Sequence, residues 1–240
     1  MTSRWFEHAE ALYGIALNDA QLAQFVDYET MLTDWNARFN LTAIRDLDGI
    51  RIKHFLDSLS CVLGFPEELD TPAMIDIGTG AGFPGVPLKI AYPNSFLTLV
   101  ESIKKKANFC EELTRVLGLK RVLVSSERAE TIGQDWEHRE FYDIALARAV
   151  AGMPTLVEYL LPLVKVGGRA ILQKGDSAME EADAARNAIR LFGGELLEII
   201  PIELPEVDGE RFLVVIEKVK PTPPEFPRAV GVPSKSPVRN

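Results

Sequence analysis

An acid and four glycines in one short stretch set the chemistry open to this chain. In Met74–Tyr92, MIDIGTGAGFPGVPLKIAY, Asp76 is followed by Gly78, Gly80, Gly82 and Gly85. Glycine admits positive φ and lets a ligand come close to the backbone. Gly80, Gly82 and Gly85 satisfy G-x-G-x-x-G, the dinucleotide pattern, while Asp76, Gly78, Gly80 and Gly82 satisfy D-x-G-x-G-x-G, the S-adenosylmethionine (SAM) pattern. The loop alone leaves both open, along with a plain glycine-rich turn. Downstream, Glu101 stands 19 residues past Gly82. Its carboxylate could accept hydrogen bonds from two ribose hydroxyls, a device common to both cofactor classes. Glu130, or the backbone of Ala129, suits an adenine edge, which needs one acceptor and one N–H. Phe83 would either cover the ligand from the loop or pack in the core. Arg148, Lys174 and His54 are the substrate-side candidates. His54 and Asp57, three apart, share a helical face.

These residues must be held by particular elements. Met74–Ile77 is a short apolar run and reads as a buried parallel strand. The glycines then lead into a helix bearing Val86, Leu88 and Ile90, with Pro84 and Pro87 in its first turn, where no intrahelical N–H partner is lost. Free N–H groups at that helix start would face a ligand and favour negative charge. From residue 73 onward strands and helices alternate, which implies a parallel sheet. The polar candidates each fall directly after a strand: Glu101 after Phe96–Val100, Arg148 after Tyr142–Ala147, Lys174 after Arg169–Gln173. Ligands of open α/β sheets bind at that carboxyl rim. Two last strands, Leu196–Pro201 and Arg211–Lys218, flank a loop with Asp208-Gly209 and predict a terminal hairpin. Before the sheet, Asn18–Phe39 and Gly49–Leu63 read as helices.

The expected fold is α/β, Rossmann-like, with a mostly parallel sheet, a C-terminal antiparallel hairpin and an N-terminal helical extension. The expected parts are a helical cap over 1–70, the main domain over 71–220 and a basic, proline-rich tail over 221–240. Residues 218–240 hold six prolines, five Lys or Arg and one acid. With little to bury, such a segment awaits a partner.

Bulk properties narrow the class. The 240 residues carry a net charge of −9, so any nucleic acid must meet local basic patches rather than a global field. No apolar run is long enough to span a membrane, and MTSRWFEHAEALY lacks a signal-peptide core. Cys61 and Cys110 fit no metal spacing and read as buried thiols of a reducing cytoplasm; three scattered histidines make no metal site. Neither cysteine follows a strand, which argues against a thiolate nucleophile. Tyr159 and Tyr142 are followed four residues later by Leu163 and Leu146, so the Tyr-x-x-x-Lys of short-chain dehydrogenases is missing.

Asn40–Ile44 (NLTAI), Lys53–Leu59 (KHFLDSL), Ile75–Gly85 (IDIGTGAGFPG), Arg128–Glu130 (RAE), Ala147–Ala149 (ARA), Leu172–Gly175 (LQKG), Asp208–Ile216 (DGERFLVVI) and the tail PRAVGVPSKSP together resemble the bacterial RsmG (GidB) family. The resemblance runs from about Asn40 into the tail. It implies SAM-dependent methylation of guanine N7 in 16S ribosomal RNA, the partner being that RNA or the small ribosomal subunit. Beside it, the bulk reading expects a cytoplasmic protein without membrane or metal, taken as a monomer. The resemblance also implies that Gly78, Phe83, Ala129, Glu130 and Arg148 line the SAM site and that Glu101 holds the ribose. Gln173 stands where relatives often carry a small or apolar residue. Guanine N7 is a lone pair with no proton to remove, so alignment rather than a general base is expected. The tail is expected to touch RNA, and its deletion to leave SAM binding unchanged.

Overall fold

The computed structural model describes residues 4–67, 69 and 71–238. The first three and last two positions of the expected cap and tail lie outside the described residues.

Helix α1 (Trp5–Tyr13) is followed by α2 (Asp19–Phe39). Asn18 starts α2 through a reciprocal capping box: its side chain accepts from Gln21 N–H, and Gln21 accepts from Asn18 N–H. The next helical rod is not uniform. It begins as α3 (Leu47–Ile50), widens into a π-helical turn over Arg51–Leu56, and tightens through α4 (Asp57–Leu59) into a 3₁₀ turn at Ser60–Gly64. The sequence predicts a single helix there. Single π turns often mark functional positions, and this one carries Lys53 and His54.

The alternating part then runs β1 (Ala73–Ile77), α5 (Gly85–Ala91), β2 (Phe96–Val100), α6 (Lys104–Val116), β3 (Val122–Ser125), α7 (Ala129–Gln134), β4 (Tyr142–Arg148), α8 (Met153–Leu160) and β5 (Val164–Lys174). After α9 (Ala178–Ala184) and α10 (Arg186–Leu191) come β6 (Gly194–Pro201), β7 (Phe212–Lys218) and the short α11 (Val232–Lys235). The seven strands form one sheet in the order β3-β2-β1-β4-β5-β7-β6. The first five are parallel; β7 runs antiparallel to both β5 and β6. The expected fold is therefore the observed one. Chain direction through the sheet reverses between β1 and β4, the switch point at which such sheets bind ligands.

Strand alternation divides the core. Along β4, Ile144 and Leu146 enter the face covered by α1, α2, the helical rod, α5 and α6. Ala145 and Ala147 enter the opposite face, covered by α7, α8, α9 and α10. The N-terminal helices thus share a core with the sheet. An aromatic chain joins them: Trp5 to Phe25 at 4.8 Å, Phe25 to Phe55 at 5.0 Å, and Tyr28 stacked on Phe83 of the glycine loop at 5.2 Å.

The tail packs onto the second face. Thr222, Pro227 and Pro233 are buried, Phe226 meets Phe192 edge-on at 4.9 Å, and Arg139 donates to the carbonyls of Thr222, Pro223 and Phe226. Its basic groups are partly internal. Lys218 is fully buried against Leu161 O, Thr222 and Glu140, and burial pulls its pKa down to about 8. Arg228 grips the fully buried Glu158.

Candidate active site

The glycine loop is closed upon itself. Gly78 and Thr79 both donate their N–H to Val100 O, at 2.8 and 3.1 Å. Gly80 N–H goes to the Glu101 carboxylate at 3.0 Å. At the start of α5, Gly85 N–H goes to Asp76 at 2.8 Å and Val86 N–H to Gly82 O. The donors expected to face a ligand are consumed internally, and two carboxylates sit among them. Asp76 is fully buried. One of its oxygens accepts from Thr79 Oγ1 (2.6 Å) and Gly85 N; the other has no hydrogen-bond partner. Burial outweighs those two bonds and raises its pKa to about 6.

The glycines differ in duty. Gly80, at φ +62°, faces open space: an added Cβ would meet nothing nearer than Gly78 O at 3.9 Å. Gly82, at φ +94°, faces inward, where a Cβ would lie 2.7 Å from the Tyr28 hydroxyl and 2.8 Å from Val86. The sequence groups Gly82 with the ligand contacts; here α2 claims the space, since Tyr28 reaches over to donate to Ala81 O.

Phe83 is buried, between Tyr28 and the His54 ring at 4.5 Å, with the Arg148 guanidinium 4.9 Å from its centroid. It packs in the core and also lines the cavity beside it.

That cavity, of about 590 Å³, opens at the carboxyl ends of β1, β4 and β5. Its walls include Gly78, Gly80, Phe83, His54, Asp57, Arg148 and Lys174. Gly82, Glu101, Ala129 and Glu130 are not among them. Glu101 lies just behind the loop, bridging Gly80 N and Ile103 N. Glu130, at the start of α7, accepts the N–H of Gly231 from the tail at 2.8 Å.

Arg148 ties the cavity's two sides. It ends β4 and donates to Asp57 (2.9 Å), His54 Nδ1 (3.2 Å) and Lys53 O (3.4 Å) on the π-helical rod. A guanidinium only donates, so Nδ1 accepts and the ring proton sits on Nε2, 2.7 Å from Thr42 Oγ1. Burial first, then the Arg148 charge, drives the His54 pKa down to about 3. Neutral His54 has both nitrogens committed. Lys174 ends β5 and pairs with Glu181 at 2.7 Å while donating to Ala151 O. Gln173 donates to Asp57 O; its own carbonyl oxygen, buried at the cavity wall, has no partner.

Tyr28, Thr42, Thr79 and Arg211 also serve this region and were missed as site residues. Thr42 and Arg211 lie inside the stretches NLTAI and DGERF, so a motif signal existed; Tyr28 is one aromatic among several in an amphipathic helix. Among the described residues no group of three His, Cys, Asp or Glu could hold a metal ion, and no described helix is long and apolar enough to cross a membrane.

Known proteins resemble this chain strongly. A family model described as rRNA small subunit methyltransferase G (GidB) matches residues 21–206. The ribosomal RNA small subunit methyltransferase G of Roseiflexus castenholzii is 50% identical over 227 residues, 94% of this chain and 95% of that protein. Its counterpart from Listeria monocytogenes is 43% identical over 238 residues, 99% and 100% of the two chains. Among solved structures, geranyl diphosphate methyltransferase in complex with SAM aligns with a TM-score of 0.54 at 11% identity, covering 69% of this chain and 85% of that one. Precorrin-6y C5,15-methyltransferase from Geobacter metallireducens gives 0.52 at 13% identity, covering 67% and 87%. At such identities the likeness is one of fold.

Proposed function

We propose that this chain, which belongs to the rRNA small subunit methyltransferase G (GidB) family, transfers a methyl group from SAM to N7 of a guanine in 16S ribosomal RNA. The observation that carries the cofactor assignment is where the loop N–H groups go. A dinucleotide brings a pyrophosphate that needs free donors at the helix start. Here those donors are taken and carboxylates stand among them, which disfavours an anion and suits a cationic sulfonium. Gly80, with open space where its Cβ would be, permits close backbone approach. Gly78 and Gly80 would hold the cofactor from the loop. Glu101 retains lone pairs for ribose hydroxyls beyond its two backbone bonds, and Ala129 with Glu130 would meet the adenine edge. When bound, SAM supplies an activated methyl group.

The chain's own residues then position the acceptor. N7 and O6 share one edge of guanine, and both are acceptors. Arg148 uses three of its five donors inside the protein, which leaves two for that edge. The test is methyl incorporation into 16S rRNA, followed by borohydride reduction and aniline cleavage, which breaks the strand at N7-methylguanosine. Label at one cleavable guanosine is the expected result; label resistant to cleavage overturns the N7 assignment.

Arg148→Ala should lower the single-turnover rate ten-fold or more, about 1.4 kcal/mol of transition-state binding. The variant also strips Asp57 of its close partner and should melt lower. Unchanged turnover per folded molecule, read beside circular dichroism, would make Arg148 purely structural.

With His54 neutral down to about pH 3 and nothing to deprotonate, the single-turnover rate should stay nearly flat from about pH 6.5 to 9. Stability has a different profile. The depressed His54 pKa contributes stability in full above the unfolded value near 6.5, and that contribution is lost as pH falls toward 3. His54→Asn should therefore lose less stability than the parent on acidification from pH 6.5 to 4. A rate rising with slope one through pH 7–8, abolished in His54→Asn, would mean that a proton is removed and that another atom is methylated.

A further inference from the structure

An acidic chain must meet its RNA through a local surface, and the structure assigns that surface to the meeting of α2 with α6. We infer that Arg38, Phe39, Lys104 and Lys105 bind single-stranded RNA next to the target nucleotide, with Phe39 as a stacking platform. This inference rests on the rRNA reading above and names the face that reading requires.

Phe39 is the last residue of α2 and keeps 39% of its surface exposed. Cations flank it from two elements: Arg38 lies 5.8 Å and Lys105 5.6 Å from its ring centroid, and Arg38 also covers Trp35 at 5.6 Å. Lys104 and Lys105 are exposed at the start of α6, and Lys106 beside them already lines the cavity. Three lysines at a helix N-terminus oppose the helix dipole, so local helix stability does not account for them. Across the cavity, Lys53 and Arg211 continue the basic rim. Of the nearby carboxylates, Asp46 accepts Gly49 N–H, Asp48 and Glu29 pair with Arg51, and Asp34 stands exposed one turn before Arg38. The whole chain carries −9, so this rim is a local reversal of sign. An exposed aromatic between basic side chains is the composition that grips unpaired nucleotides, the ring by stacking and the cations at phosphates. A base extruded into the cavity leaves its neighbours unpaired outside it, and the wall residues Leu41 and Lys106 lie two residues from Phe39 and one from Lys105.

The experiment uses the full chain and two variants, Arg38→Glu/Lys104→Glu/Lys105→Glu and Phe39→Ser, with Phe39→Tyr as the conservative control. Methyl transfer to 16S rRNA, SAM binding by calorimetry and gel-shift binding of a single-stranded RNA oligomer and its duplex are measured. The triple variant should raise the RNA KM at least thirty-fold and leave SAM affinity unchanged. Three lost phosphate contacts should flatten the slope of log affinity against log salt by roughly 2. Phe39→Ser should weaken single-strand binding about ten-fold, and Phe39→Tyr should restore it. Parental RNA affinity and salt slope in the triple variant overturn the surface, as does an equal preference for duplex. If the parent binds RNA through this face but methylates no rRNA, the surface stands and the proposed reaction falls.

Discussion

Gly80→Val should abolish measurable SAM binding in a protein that still folds. Gly80 holds φ +62° at the cavity wall, and an added Cβ finds open space within the protein. The variant therefore suffers only backbone strain, about 1–2 kcal/mol for a side chain in the left-handed region. In a chain of this size that is roughly 2–8 °C of melting temperature. Its branched side chain projects where the cofactor must lie against the backbone. Calorimetry should show at least a hundred-fold loss of affinity, with the circular dichroism spectrum retained. Gly82→Val is the contrasting control. Its side chain would strike the Tyr28 hydroxyl and Val86, so it should fail by unfolding rather than by losing ligand. Parental SAM affinity in folded Gly80→Val would remove the loop from the cofactor site.

The second large effect is expected from the tail. Glu158 is fully buried in α8, and Arg228 supplies its backbone N–H, Nε and a terminal nitrogen, the last at 2.6 Å. Removing one partner of a buried pair strands the other charge, a cost of about 3–5 kcal/mol. Arg228→Ala should thus lower the melting temperature by roughly 6–20 °C. Adding Glu158→Gln should recover much of that loss, because the stranded charge is then gone. SAM affinity should drop as well, since the tail's Gly231 N–H is bound to Glu130. The sequence expectation that deleting 221–240 spares SAM binding is replaced by its opposite: the deletion should lower both stability and affinity. A double variant no more stable than Arg228→Ala would show that the pair is not what anchors the tail.

The sheet was legible because strand and helix alternate in the sequence, and alternation dictates parallel pairing. The carboxyl-rim positions of Glu101, Arg148 and Lys174 followed from strand ends, which are local. What escaped was set by partners far along the chain. Phe83 in a glycine loop looks exposed until Tyr28 and His54 arrive on either side of it. Gly82 looks like its neighbours until the same Tyr28 takes its space. In the tail, proline and basic composition speak to local entropy; the buried acid waiting 70 residues upstream is invisible there. The direction of the Gly78 and Thr79 N–H groups escaped for a similar reason, because Val100 O, their acceptor, belongs to the next strand.

The Arg228–Glu158 pair also bears on how the protein is made. Translation is vectorial, and Glu158 is built 70 residues before the cation that neutralises it. At about 5–20 residues per second the nascent chain waits roughly 4–14 seconds with that acid bare. During the wait α8 cannot seat Glu158 without burying a lone charge, so the second face of the sheet stays loose. The buried core of the first face is complete by Val215 and can consolidate before Arg228 is made. Closure of the proposed adenine side, where Gly231 meets Glu130, is therefore among the last events of synthesis. A ribosome stalled short of Arg228 would hold a chain with a formed glycine loop and no competent cofactor site.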